Sequence, residues 1–224
     1  MILSIETSTD VCSIAIHQQE KLIDSLVSTE AYSHAEKLAP MIDELLKTSK
    51  VDKHQLTAIA VSAGPGSYTG LRIGTATAKG LCYALDIPLI AVNTLESMLV
   101  SDHQAKNTWL CPMIDARRME VYCLLADNHG QIIVPTEAKI IDETSFASYL
   151  NDHKISFFGN GAAKCNNTIT HANAQFLEHI KPSAIDIGTL ANKKYQLGDF
   201  ADLVYFEPEY LKPFVAIKAK NPLL

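Results

Sequence analysis

Ser62-Ala63-Gly64-Pro65-Gly66-Ser67-Tyr68-Thr69-Gly70-Leu71-Arg72-Ile73-Gly74 joins a strand-like run, Thr57 to Ala63, to a segment rich in alanine, glycine and threonine. Gly64, Pro65 and Gly66 end the strand, and Thr69 is placed to cap a helix that begins beside Gly70 and Leu71. Glycine-rich loops entering helices attract anions, because unpaired backbone N–H groups converge there. This loop lacks the Gly-Lys-Ser/Thr ending of a P-loop and the Gly-x-Gly-x-x-Gly spacing of dinucleotide-binding turns. The helix carries two stripes of small residues four apart: Gly70, Gly74 and Ala78, and on an adjoining side Ala76, Gly80 and Ala84. Glycine inside a helix costs about 0.5–1 kcal/mol relative to alanine, so so many small residues imply that other atoms come very close. Two readings stay open, a contact surface for a partner helix and tight packing within the chain's own fold, and they can coexist on different faces.

Working outward, 224 residues with 47% hydrophobic composition suffice for one large domain or two small ones with a sizeable core. No apolar run is long enough to span a bilayer, and Met1-Ile2-Leu3-Ser4-Ile5 reads as a strand with no basic segment before it, so a cytoplasmic protein without membrane attachment is expected. Five scattered cysteines form no Cys-x-x-Cys pair and read as buried free thiols in a reducing compartment. A formal charge of −6 argues against the chain gripping nucleic acid by itself. The basic concentration of the tail, Lys212, Lys218 and Lys220, reads first as a solvated segment.

The organisation reads as two related halves. Residues 2–6, 11–17 and 22–28 are three predicted strands, with Thr7-Ser8-Thr9-Asp10 as the first turn. A helix follows, with Ser33 and Glu36 as a capping box and Ala35, Leu38, Ala39, Ile42, Leu45 and Leu46 on one face. Strand 57–63, the small-residue helix to about Leu85 and strand Pro88 to Val92 complete the first half. The second opens with a strand from Trp109 to Asp115, a turn at Ala116-Arg117-Arg118 and a strand from Glu120 to Ala126. Asp115 ends its strand as Glu6 ends the first one, an echo that suggests internal duplication. A helix around Thr144 to Leu150, a strand Ile155 to Phe158, the loop Gly159-Asn160-Gly161 and a helix from about Ser183 to Tyr195 follow.

Ile5-Glu6-Thr7-Ser8, the Gly64 to Gly74 loop and Ile114-Asp115-Ala116-Arg117-Arg118-Met119-Glu120-Val121-Tyr122 together resemble the bacterial TsaB family, also called YeaZ. The resemblance is strong from Met1 to about Tyr122 and weaker beyond, where Gly159-Asn160-Gly161 and Pro208-Glu209-Tyr210-Leu211 stand at the expected places. It implies an α/β fold of the actin-like, sugar-kinase-like (ASKHA) type: two duplicated lobes, residues 1–104 and 105–224, with the helix at about 183–195 able to pack on the first. It also implies a non-catalytic partner subunit, with no cofactor of its own, in the machinery that makes threonylcarbamoyladenosine beside the anticodon of tRNA. The implied partners are a TsaD-like catalytic subunit, a TsaE-like ATPase in the assembled complex, a second copy of the chain when alone, and tRNA only through the complex. The expected interface comprises His34, Leu38, Gly70, Gly74, Thr77, Ala78 and Leu81.

The residues allow a check on catalysis. TsaD-like chains carry two metal-binding histidines four apart in a segment resembling Asn-His-Leu-Glu-Gly-His, where this chain reads Asn93-Thr94-Leu95-Glu96-Ser97-Met98. A threonine hydroxyl and a methionine thioether are not usual substitutes for imidazole on a hard or borderline metal. No two of the eight histidines stand at i, i+4, and there is no Gly-x-Ser-x-Gly elbow, which leaves no support for a metal site or a peptidase. The alternative function is a nucleotide-binding phosphotransferase or ATPase of the same fold. For it Thr7, Ser8, Gly159 and Gly161 are the candidate remnants of a nucleotide site, and Arg117 and Arg118 occupy the second turn where glycine would give a phosphate room.

Overall fold

The computed structural model describes residues 1–28, 30, 34–100 and 107–212. Strands β1 (Ile2–Glu6), β2 (Cys12–Gln18) and β3 (Lys21–Ser28) form an antiparallel meander, and β4 (Ala58–Gly64) and β5 (Leu89–Asn93) add in parallel, giving the order β3-β2-β1-β4-β5. Strands β6 (Trp109–Asp115), β7 (Glu120–Ala126), β8 (Ile132–Ile140), β9 (Ile155–Phe158) and β10 (Ala174–Leu177) form the second sheet, ordered β8-β7-β6-β9-β10. Each sheet is a three-strand meander whose first strand takes a parallel partner on its other side. The same wiring twice in one chain is the duplicated, actin-like and sugar-kinase-like fold.

Every residue of β1 is buried, as expected for a central strand covered on both faces. Alternation sends Leu3 and Ile5 to the face packed by α1 (His34–Thr48) and α2 (Tyr68–Leu85), where Leu38, Ile42, Leu45 and Ala78 join them. Ile2 and Ser4 face the other way, toward α5 (Ala184–Leu197), whose Ile187 and Ala191 pack on Ile2, Ala58, Ala60, Ile90 and Val92. Helix α5 is therefore mounted on the first sheet. Ser183 caps it through Ile185 N–H, and Ser13 of β2 accepts from Ala184 N–H at 3.0 Å.

The copies differ in their helices. In the first, α2 carries the chain from β4 to β5 over 18 residues, whereas a short 3-10 turn, Ala163–Cys165, lies between β9 and β10. Helix α4 is only Ala147–Leu150, shorter than the segment expected from Thr144. The small helix α3 (Thr94–Ser97) couples the halves: Leu95 and the following Met98 are buried with Leu110, Ile114, Leu124 and Phe158 of the second sheet. All five cysteines are free and buried. Among the described residues no helix is long and apolar enough to cross a membrane. The expected Ser33 half of a capping box, and Lys218 and Lys220 of the basic tail, lie outside the described residues.

Candidate functional site

The loop that decides the fold is seated on the first hairpin. The cap of α2 is Ser67, whose Oγ accepts from Gly70 N–H, and not Thr69 as the spacing suggests; the helix starts at Tyr68. Ser67 N–H donates to Ser8 O at 2.6 Å, and Thr7 Oγ1 donates to Gly70 O at 2.8 Å. A Cβ on Gly66 would collide with Ser8, one on Gly70 with the Thr7 carbonyl oxygen, and one on Gly74 with Thr7 Oγ1. The close approach implied by Gly70 and Gly74 of the first stripe is thus made by Thr7 of the same chain, and that at Gly66 of the loop by Ser8. Glu6, fully buried beneath them, accepts from Ser8 N–H at 2.5 Å. Burial pushes its carboxyl up to about 7, with Asp186 adding to the rise and the Ser8 and Ser62 hydroxyls opposing it.

This geometry corrects two expectations. Thr7 and Ser8 are completely buried and their N–H groups are taken by Ser62 Oγ and Glu6, so they present no amide cradle to a phosphate. Gly159 and Gly161 are spent on packing, since a Cβ on the first would meet Met113 O and one on the second the backbone of Ile114 and Asp115. Asn160 between them accepts from Asp115 N–H at 3.0 Å. The expected interface residues are corrected likewise. His34 is 6% exposed with Nε2 3.0 Å from Thr9 O, and Leu38, Gly70, Gly74 and Ala78 are buried in the chain's own core. Thr77 and Leu81 are half-buried.

The second small-residue stripe faces outward. Ala76, Gly80 and Ala84 are exposed, nothing lies within 4 Å of a Cβ placed on Gly80, and neighbouring Tyr83 is 84% exposed. Ala35 and Ala39 are exposed on α1, which packs beside α2 on the same side of the sheet. The segment 201–212 runs along this helix as a strap. Ala201 pairs with Leu89, Lys79 Nζ donates to Val204 O and Phe206 O, Glu209 N–H donates to Ala63 O, and Tyr210 packs against Tyr68 with its hydroxyl 3.3 Å from Arg72 Nε. A groove of about 300 Å³ lies between α2 and the strap, walled by Arg72, Ala76, Lys79, Phe206 and Tyr210. Sequence periodicity gave no sign of the strap, which has no regular secondary structure.

The strap ends on the second half. Lys212 pairs with Glu120 and donates to Ala116 O, while Lys164 pairs with Asp115 and donates to Arg118 O and Glu120 O at 2.7 and 2.6 Å. Asp115 also accepts from Arg117 N–H at 2.8 Å, which closes the turn. At the positions corresponding to the histidines of TsaD-like chains, Thr94 and Met98 are buried, and Met98 fills the space against Gly159. Asn93 caps α3 by accepting from Leu95 and Glu96 N–H, a structural role. A hydroxyl and a thioether packed this way are not a donor set for such a metal.

Residues 26–220 match the family model described as TsaD: tRNA N6-adenosine threonylcarbamoyltransferase. The TsaB protein of Haemophilus influenzae is 39% identical over 126 residues, a match covering 54% of this chain and 51% of that protein, so the chain spans about half the length of that relative. The TsaB protein of Bacillus subtilis is 29% identical over 205 residues, covering 90% of this chain and 86% of that protein. A Pseudomonas aeruginosa crystal structure, described as an uncharacterized protein with similarity to peptidase YEAZ, superposes with a TM-score of 0.82 at 25% identity over 94% of this chain and 99% of its own. The family-model match over most of the chain, the TsaB relatives and a shared fold over nearly its whole length agree with the hairpin and loop motifs: this chain belongs to the TsaB, or YeaZ, family.

Proposed function

We propose that this chain is a non-catalytic partner subunit in threonylcarbamoyladenosine biosynthesis, pairing with a TsaD-like chain that transfers the threonylcarbamoyl group to N6 of the adenosine beside the anticodon. The observation that carries the non-catalytic reading is the buried pair Thr94 and Met98, which offers no imidazole where the TsaD-like chain has two. Thr7 and Ser8, whose amides are already bonded within the chain, argue in the same direction against an ATP-handling role. The partner meets the outer faces of α1 and α2, where Ala35, Ala39, Ala76, Gly80 and Ala84 let a facing helix approach closely, with Tyr83 as an aromatic anchor. Alone, the same surface pairs with a second copy about a two-fold axis, and a TsaE-like ATPase joins the assembled complex.

The test is reconstitution with the TsaD-like and TsaE-like chains, tRNA, ATP and the threonylcarbamoyl donor. Modification should require this chain, which alone should show no ATP turnover. Gly80→Leu, on an exposed position with open space above it, should leave the fold intact and lower both pairing and modification. A folded Gly80→Leu chain that pairs and supports modification normally would remove α2 from the interface. ATP turnover by the chain alone would overturn the non-catalytic reading.

A further inference from the structure

The hairpin between β6 and β7 presents two arginines in an unusual way. Arg117 (φ 69°) and Arg118 (φ 50°) are both in the left-handed region, which asparagine or glycine enters more easily than a long side chain. Both are exposed, and among the described residues neither guanidinium has a hydrogen-bond or ion-pair partner. The two carboxylates flanking the turn could have served them. Instead Asp115 is held by Lys164, brought from the 3-10 turn after β9, and Glu120 by Lys212 at the end of the strap. Both flanking carboxylates are therefore already taken by lysines, which leaves the two guanidinium groups open to solvent on a chain whose overall formal charge is −6.

We propose that the turn 116–119 is a contact for the phosphodiester backbone of RNA, with Arg117 and Arg118 each engaging a phosphate. Guanidinium groups bind phosphate oxygens through a planar two-pronged donor set, and a turn closed by Asp115 and clamped by Lys164 and Lys212 holds them in place without consuming them. On a chain of net negative charge, contact with RNA is favoured where basic groups are concentrated in a confined patch such as this. The inference rests on the function proposed above, which brings tRNA to the assembled complex.

The decisive experiment measures tRNA binding by fluorescence anisotropy to the complex of this chain with its TsaD-like partner, from 50 to 200 mM salt. Three chains are compared: unaltered, R117N/R118G, which suits the left-handed backbone and so keeps the turn, and R117K/R118K, which keeps the charge. Loss of two phosphate contacts flattens the slope of log K against log salt by about 1.4–1.8 and weakens binding roughly 20- to 60-fold near 0.1 M salt. The Asn/Gly chain should show that loss with assembly and melting temperature preserved, and the Lys/Lys chain should keep most of the slope. An unaltered complex that modifies tRNA, together with an Asn/Gly chain of unchanged slope, overturns this inference alone. Loss of assembly with the TsaD-like chain in the Asn/Gly variant assigns the arginines to an acidic protein surface and overturns it as well. An unaltered complex that neither binds nor modifies tRNA removes the proposed function and this inference together.

Discussion

Two glycines in α2 should respond to the same substitution with opposite signs. Gly80 is exposed mid-helix with nothing within 4 Å of an added Cβ, so Gly80→Ala gains only the helix propensity of alanine, about 0.5–1 kcal/mol. Gly70→Ala gains the same propensity but drives a Cβ into the Thr7 carbonyl oxygen, a backbone atom that cannot rotate aside. It also displaces the partner that Thr7 Oγ1 bonds at 2.8 Å. Overpacking of this kind costs about 1–3 kcal/mol, and contact with backbone places it at about 3. The net loss is about 2 kcal/mol. For a chain of this size, about 2–4 °C per kcal/mol puts Gly80→Ala about 1–4 °C above the unaltered protein and Gly70→Ala about 4–8 °C below it. Thermal melts and urea midpoints at unchanged m-value measure both. Shifts of the same sign would refute the assignment of one stripe to the core and the other to the surface.

The buried carboxyl of Glu6 should make stability pH-dependent. A folded pKa of about 7 against an ordinary 4.5 means that the fold favours the protonated acid, so its contribution is complete below 4.5 and is lost as pH rises through 7, by about 3 kcal/mol. Glu6→Gln should flatten the urea-midpoint profile between pH 5 and 8 and be the more stable chain at pH 8. His17, lowered by burial, acts in the opposite direction in both proteins, so the difference between profiles isolates Glu6, and identical profiles would refute the assignment. In the strap, Tyr210→Ala should lower stability by about 1 kcal/mol through loss of the Tyr68 contact, while Tyr210→Phe should change it by a few tenths, since the Arg72 bond is exposed; equal losses would show that the hydroxyl matters more than the ring.

Much of the fold is legible in the sequence. β6, β7 and β9 carry the bounds that their apolar runs and turn residues predict, and the acidic ends at Glu6 and Asp115 do mark equivalent strands of repeated sheets. β8 escapes notice because this outer strand has no fully buried residue and carries Pro135 in its interior, a residue that argues against a strand. The small-residue stripes announce close approach but not its source. Thr7 lies 63 residues from Gly70, and only the pairing of β1 with β4 brings the hairpin onto the helix start. His34 misleads for a similar reason, since a polar ring in a first turn reads as exposed until the Thr9 carbonyl is seen to cover it. The lysine clamps on the second turn join residues 44 to 96 positions apart, with no local pattern to mark them.

The bridge between Ala201 and Leu89 has a consequence for how self-association is measured. β5 is the outer strand of its sheet, and Ala201 N–H donates to Leu89 O at 2.9 Å, so the start of the strap shields an otherwise open border of backbone donors and acceptors. Unshielded borders of this kind recruit strands from other molecules. A chain shortened to end before Ala201 should therefore associate through strand addition, growing without closing at two copies. Because that association involves the sheet and not α2, Gly80→Leu should leave it untouched, which separates it from pairing through the helices.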